Sequence, residues 1–268
     1  MIDYHLHTFR CCHATGSLED FLAEAERKKL TEIGFADHFP LDLLGFSPRV
    51  QVTMNSDELS QYVGQVVQLK DQSANVRVKL GIEVDYIPGT EEKLRALLSG
   101  YPFDYVIGSI HFMGDWDFTH PAYADDYRNK DLNKLYQRYF ALVWEACSSQ
   151  LFDIIGHIDV VKKFGYRPDS DLESYYYRTA QLMQQTDTCV ELNTAGKDAP
   201  VGEFYPDRRF LEICRSENVL VTMGSDAHCP EQVGRHFVEG LELLEAVGYR
   251  ELAVFKDRKL EACTLRRV

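Results

Sequence analysis

Residues 2–37 read IDYHLHTFRCCHATGSLEDFLAEAERKKLTEIGFAD. IDYHLH at 2–7 is a short apolar run of the kind that forms a strand. At Ser17, SLED has the S-x-x-D form of a capping box and predicts a helix start. EIGFAD at 32–37 predicts a second strand, so the stretch reads as strand, helix, strand. The alternation continues with predicted strands at VKLGIEVDY (78–86), DYVIGSIHF (104–112), DIIGHI (153–158), TCVELNT (188–194) and VLVTMGSD (219–226). Helical spacing marks 56–72, 133–149, 172–185, 208–217 and 231–248. Repeated strand–helix alternation predicts an α/β fold with a parallel sheet and crossover helices. About seven such units in 268 residues favour a closed barrel over an open sheet. No repeat, low-complexity segment or linker interrupts the chain, so 1–268 is expected to be one domain. Segments 38–55 and 113–130 read as long loops after strands, where parallel barrels build their sites.

Composition narrows the function. Hydrophobic content of 45% and charged content of 26% are those of a soluble globular protein. No apolar run is long enough to span a bilayer, and the N-terminus lacks the basic-then-apolar order of a signal peptide. A cytoplasmic location is therefore expected. The seven cysteines form no CxxC pair and are odd in number, and they read as reduced thiols. A net charge of −13 argues against a general nucleic-acid surface. It leaves room for a small anionic substrate, because bound divalent ions make a pocket locally positive.

The histidines carry the chemistry. His5 and His7, two apart on a strand, face the same side. His38 ends FADH, Glu83 sits in GIEVDY, His111 ends GSIH, His157 lies in IIGHID, and Asp226 and His228 belong to GSDAH. Each falls near the C-terminal end of a predicted strand. With His13, seven of the nine histidines share that address, whereas random placement would scatter them onto helices and turns. Imidazole and carboxylate are ligands for zinc, iron or manganese, and a carboxylate can bridge two ions. A metal centre is expected; histidines satisfied within an ordinary core are the alternative. His236, within the predicted helix 231–248, is expected to be structural or exposed.

The opening HxH, the isolated later histidines, the G-x-E glutamate and the late SDAH resemble the PHP (polymerase and histidinol phosphatase) superfamily, over residues 3 to about 229. Within it, DYHLHT, GSIHFMGDWDFTHPAY, GHIDVVKKFGY and ELNTAG…PVGEFYP are most similar to the monofunctional histidinol-phosphatases. The resemblance implies a distorted seven-stranded (β/α) TIM-like barrel with up to three divalent ions. It implies His5, His7, Glu83 and Asp226 around one ion, with Glu83 bridging to a second held by His111 and His157. His13, His38 and His228 would hold the third. One departure stands out: where relatives commonly carry Leu-Arg-Lys after ELNTAG, this chain has Lys197, Asp198 and Ala199. The arginine expected to hold phosphate is thus replaced by Asp198, with Lys197 as its nearest substitute.

A phosphate monoester carries two negative charges that repel an attacking hydroxide, and paired metal ions both activate water and neutralise the ester. The resemblance implies hydrolysis of L-histidinol phosphate, with catalytic weight on Glu83, Asp226 and His228. Lys163, Lys162, Lys197 and Arg209 are candidate phosphate contacts, His120 a candidate pocket residue, and Trp116 a candidate for stacking on an imidazole. Alternatives are action on another small phosphate or a nucleotide end, and a non-catalytic metal-binding protein. A C–N hydrolase would favour a modified lysine bridging metals, and no lysine here occupies a ligand position.

Overall fold

The computed structural model describes residues 1–265. Its strands are β1 (Ile2–Leu6), β2 (Glu32–Phe35), β3 (Arg77–Leu80), β4 (Glu83–Asp85), β5 (Ile107–Ser109), β6 (Phe112–Met113), β7 (Trp116–Asp117), β8 (Ile154–Ile155), β9 (Cys189–Asn193), β10 (Val221–Gly224), β11 (Glu251–Lys256) and β12 (Lys259–Thr264). Its α-helices are α1 (Leu18–Arg27), α2 (Leu59–Gln72), α3 (Glu91–Leu98), α4 (Leu132–Ser148), α5 (Glu173–Gln185), α6 (Arg208–Ser216) and α7 (Phe237–Val247). Ser17 caps α1, in agreement with its motif: its Oγ accepts from Asp20 N at 3.2 Å, and its own N–H donates to Asp20 Oδ2 at 2.9 Å. Such a cap contributes about 1 kcal/mol.

The strands form an α/β fold with two parallel sheets, β1-β2-β3 and β10-β9-β8-β5-β4, and two antiparallel hairpins, β6-β7 and β11-β12. The expectation from sequence is a single closed seven-stranded sheet. Among the described residues the ladder is instead interrupted twice, and single parallel bridges cross the gaps. Leu6 meets Ala227 between β1 and the end of β10, and His38 meets Glu83 between the end of β2 and β4.

The second gap has its cause in packing. VKLGIEVDY, which reads as one strand, breaks after Leu80 into β3, which pairs with β2, and β4, which pairs with β5. Tyr105 fills the space at the break. A Cβ on Gly81 would clash with its Cζ, and one on Gly34 with its hydroxyl. The Tyr105 hydroxyl donates to Tyr4 O at 2.7 Å, and the two rings stack at 4.8 Å. With Phe255 from the last hairpin they pack the barrel-like interior beneath the histidines.

A second difference lies before α7. The pattern at 231–248 predicts continuous helix, but α7 starts at Phe237, after Gly234 and His236 at φ of 61° and 55°. Gly234 N donates to the buried Asp3 carboxylate at 2.9 Å, which draws this segment out of helix. His236 is consequently the residue before α7 rather than a mid-helix residue. All seven cysteines are unpaired. Among the described residues no helix is long and apolar enough to cross a membrane.

Candidate metal centre

The strand ends deliver the donors to one place. His5 and His7 alternate along and just past β1 and are fully buried. His38 Nδ1 lies 3.0 Å from Glu83 Oε2. His111, two residues after β5, and His157, two after β8, place their Nε2 atoms 3.2 Å apart. His157 Nε2 is also 3.0 Å from Glu83 Oε1. Beyond β10, Asp226 Oδ1 lies 3.1 Å from His7 Nε2. His13 and His228 approach to 2.9 Å, Nε2 to Nε2. Glu83 is the hub. Its oxygens face five imidazoles, those of His5, His7, His38, His111 and His157, at 3.0 to 3.8 Å.

A second layer of acceptors decides which ring nitrogen carries the proton. His5 Nδ1–H donates to Glu191 Oε1 at 2.6 Å and His111 Nδ1–H to Asp85 Oδ1 at 2.9 Å. His13 Nδ1–H donates to Cys11 O at 2.7 Å and His228 Nδ1–H to Asp226 O at 3.1 Å. In the neutral ring each of these bonds leaves Nε2 as a bare lone pair. At His13 and His228 two such lone pairs face each other, which is repulsive unless a cation lies between them. Further in, His5 Nε2, both nitrogens of His7, His38 Nδ1, Glu83 Oε2 and His157 Nδ1 are buried with no well-aligned hydrogen bond, although carboxylates lie within ion-pair reach of the rings of His5, His7 and His38. Each such atom costs about 1–3 kcal/mol, and folded interiors leave few of them. Their concentration here fits the nitrogen and carboxylate donor set of divalent metal ions. Three overlapping sets, His5–His7–Glu83, His5–His157–Asp226 and His7–His38–His228, each have donor atoms within 4.8 Å of one another.

The electrostatics divide the imidazoles. Burial pulls His7 down, but Asp226, Asp37 and Glu83 overrule it and hold its pKa up to about 9. Burial likewise opposes His111, which Asp85 and Glu83 hold up to about 9. His5 is raised against its burial by Glu191, Glu83 and Asp226. For His38 and His228 burial wins, and both lie well below the usual imidazole range; His13 is lowered too. Burial pushes the Glu83 and Asp226 carboxyls up, but the surrounding histidines hold both well below the carboxylate range. A metal-free chain near neutrality therefore carries protons on His7 and His111, with His5 pushed the same way, and binding must displace them. Zinc uptake at pH 7.5 is expected to release at least about two protons per fully loaded chain, read with an indicator in weak buffer. The sign is an affinity that rises with pH up to about 9. An affinity unchanged between pH 6 and 9 would contradict it.

Above the centre opens a cavity of about 620 Å³, lined by His13, His38, Glu83, His111, His157, Asp226 and His228 among others. A histidine–carboxylate cluster at the strand-end rim of a parallel α/β scaffold defines a metal-binding site of hydrolase type. The profile of the PHP domain matches residues 3–195, and the chain belongs to that family. Its relatives narrow the class. A probable histidinol-phosphatase of Deinococcus radiodurans is 34% identical over 262 residues, 97% of this chain and 98% of that one. The histidinol-phosphatase of Bacillus subtilis is 25% identical over 90% of this chain and 98% of its own. Among solved structures, histidinol phosphate phosphatase of Lactococcus lactis, complexed with zinc, L-histidinol and phosphate, shares the fold. Its TM-score is 0.83 at 21% identity, over 97% of this chain and 98% of that one.

The expected substrate contacts separate into two groups. Lys163 and His120 line the cavity. Lys163 is lowered by burial and raised in part by Asp226 and Asp117. His120 Nδ1 accepts from Ala122 N at 3.2 Å, so its proton is on the other nitrogen. Lys162, Lys197, Trp116 and Arg209 are absent from the lining. Lys162 is buried against Asp159 (2.8 Å) and Glu203 (3.2 Å). Lys197 pairs with Glu239 at 3.3 Å and does not take the place of the missing arginine. Trp116 packs on Phe118 and Tyr127 with Lys130 over its ring, and Arg209, on α6, pairs with Glu173 and Glu212. Lys163→Ala is expected to raise KM about tenfold, the value of one charge-assisted hydrogen bond. Lys162→Met should leave KM within about twofold. Steady-state kinetics on folded variants separate the two, and equal KM increases would put both lysines on substrate.

Four residues that touch or frame the centre do not stand out in the sequence. Asp37, Asp85 and Glu191 are buried carboxylates behind His7, His111 and His5. Their signal is present: Asp85 is two residues from Glu83, hence on its side of the strand, and Glu191 is the lone acid in CVELN. The fourth, Arg235, lines the cavity from the loop before α7.

Proposed function

We propose that this chain is a metal-dependent phosphomonoesterase that hydrolyses L-histidinol phosphate to L-histidinol and phosphate, the reaction class of its full-length relatives. The observation that carries the reading is the Glu83-centred set of bare donors on the floor of a cavity with cationic side chains on its wall. Three ions (zinc, iron or manganese) would complete it. His5, His7, Glu83 and Asp226 would hold one, Glu83, His111 and His157 a second, and His13, His38 and His228 a third. When bound, such ions supply charge neutralisation of the phosphate and activation of water.

The chain's own groups do the rest. Lys163 donates to a phosphate oxygen. Asp226, whose carboxylate stays ionised and is partly open to the cavity, receives the proton of the attacking water and returns it to the leaving alcohol. His228 Nδ1–H bonds the Asp226 carbonyl and so fixes the backbone that aims that carboxylate. His120 faces the organic part of the substrate. The reading takes residues 1–268 as one domain, with the two bridges completing a distorted seven-stranded barrel. It takes a reducing cytoplasmic compartment as the setting, in keeping with seven unpaired thiols.

The test is phosphate release by the metal-reconstituted chain from L-histidinol phosphate and from sugar, nucleotide and amino-acid phosphates. A preference in kcat/KM of roughly 10²-fold for L-histidinol phosphate is expected. Equal rates on all substrates would overturn the substrate while leaving the phosphatase class standing.

A further inference from the structure

Among the described residues that line the cavity, two are lysine or arginine, Lys163 and Arg235, and of these only the guanidinium is permanently charged. Arg235 sits between Gly234 and His236, both at positive φ, in the loop that leads into α7. Its guanidinium is clamped on three sides. Nε donates to Ser225 O at 2.8 Å, Nη2 to Asp226 O at 2.8 Å, and Nη1 to Asp198 Oδ2 at 3.3 Å. A guanidinium has five N–H groups, so one on each terminal nitrogen remains unused by these bonds. The residue whose carbonyl it holds, Asp226, is the same one whose carboxylate faces His7 Nε2. The planar fork is therefore fixed at the edge of the metal centre.

Asp198, also on the cavity wall, would repel an anionic substrate if it were bare. It is not bare. Oδ2 accepts from Arg235 and Oδ1 from His236 Nε2 at 2.8 Å. The carboxylate thus serves as a bracket for the arginine. A preset planar fork matches the geometry of phosphate oxygens, and its placement before binding lowers the ordering cost.

We propose that Arg235 binds the phosphate of the substrate, preset by Asp198 and by the carbonyls of Ser225 and Asp226, and that it shares this dianion with Lys163. The proposal rests on the phosphomonoesterase reading above and adds a specificity-determining residue to it.

Calorimetry on the zinc-loaded chain, with inorganic phosphate and L-histidinol as separate probes, tests the assignment without turnover. Arg235→Ala is expected to weaken phosphate binding at least tenfold, to leave L-histidinol within twofold, and to keep the zinc content of the wild-type chain. Arg235→Gln keeps an amide N–H for the loop carbonyls and removes the charge. It is expected to lose phosphate binding to the same extent, while Arg235→Lys recovers part of it. The double variant Asp198→Arg/Arg235→Ala supplies a cation from the other side of the pair and is expected to regain at least part of the phosphate affinity. Unchanged phosphate binding in Arg235→Ala and Arg235→Gln would overturn the proposal. So would equal losses for phosphate and L-histidinol accompanied by loss of zinc, which would leave Arg235 as a loop clamp. Failure to hydrolyse L-histidinol phosphate with phosphate binding still dependent on Arg235 would count against the substrate and for the residue.

Discussion

Glu83→Gln is expected to lower phosphate release by at least about 10³-fold and to cut bound metal by more than one ion per chain. The carboxylate is buried, accepts from Ser109 Oγ at 2.6 Å, and presents its oxygens to five imidazoles. Glutamine keeps the shape but removes the charge, and it turns an N–H₂ toward rings that need an acceptor or a cation. Charge stabilisation by such ions amounts to several kcal/mol, and each 1.36 kcal/mol is tenfold in rate. Elemental analysis and initial rates on the same preparation check both parts. Full metal content with wild-type rates would remove Glu83 from the centre.

Glu191→Gln should act one step further out, with a loss of about 10- to 100-fold in metal affinity or activity. Glu191 touches no proposed substrate atom. Its Oε1 accepts from His5 Nδ1, while its Oε2 accepts from His157 N at 2.8 Å and Asn193 Nδ2 at 3.1 Å. A glutamine in its place can offer its oxygen to one side only. If the new N–H₂ meets His157 N and Asn193, two donors face a donor in a dry interior. If it meets His5, the ring must move its proton to Nε2, which removes the lone pair directed at Glu83. There is no room to escape, because a Cβ at Gly224 would already clash with Oε1. The histidine tautomer is measurable by ¹⁵N chemical shift. A variant with unchanged His5 shifts and unchanged zinc affinity would refute the role.

The donors were legible because both their type and their period are local. Histidines two apart on a strand, or closing an apolar run, mark the strand-end rim whatever the tertiary detail. The second carboxylates were less legible, since an acid beside a strand end reads equally as a solvated loop residue. Asp37 and Asp85 differ from such residues only through folding. The strand break at Gly81 comes from Tyr105, more than twenty residues away, and the late start of α7 from Asp3 at the other end of the chain. Neither cause lies within any local window. Short α3 and the last hairpin give no long periodic signal and so do not show in the pattern. On the substrate side, adjacent Lys162 and Lys163 leave a single 3₁₀ turn in different directions, and only the placing of Asp159 and Glu203 decides which one is taken up in ion pairs. Arg235 was hidden inside an apparently helical stretch.

The bridge between Leu6 and Ala227 has a consequence for the timing of the protein's birth. The first of these strands to be made carries His5 and His7, yet its neighbour on one side is the tenth, made when most of the others already exist. Until then β1 has an open edge and two histidines with no carboxylate from beyond β10 beside them. The closing of that edge and the arrival of Asp226 and His228 beside His7 thus fall due together, late in synthesis. A chain cut short before residue 226 can do neither. A closed β1 edge is in this sense a certificate that translation ran past the tenth strand.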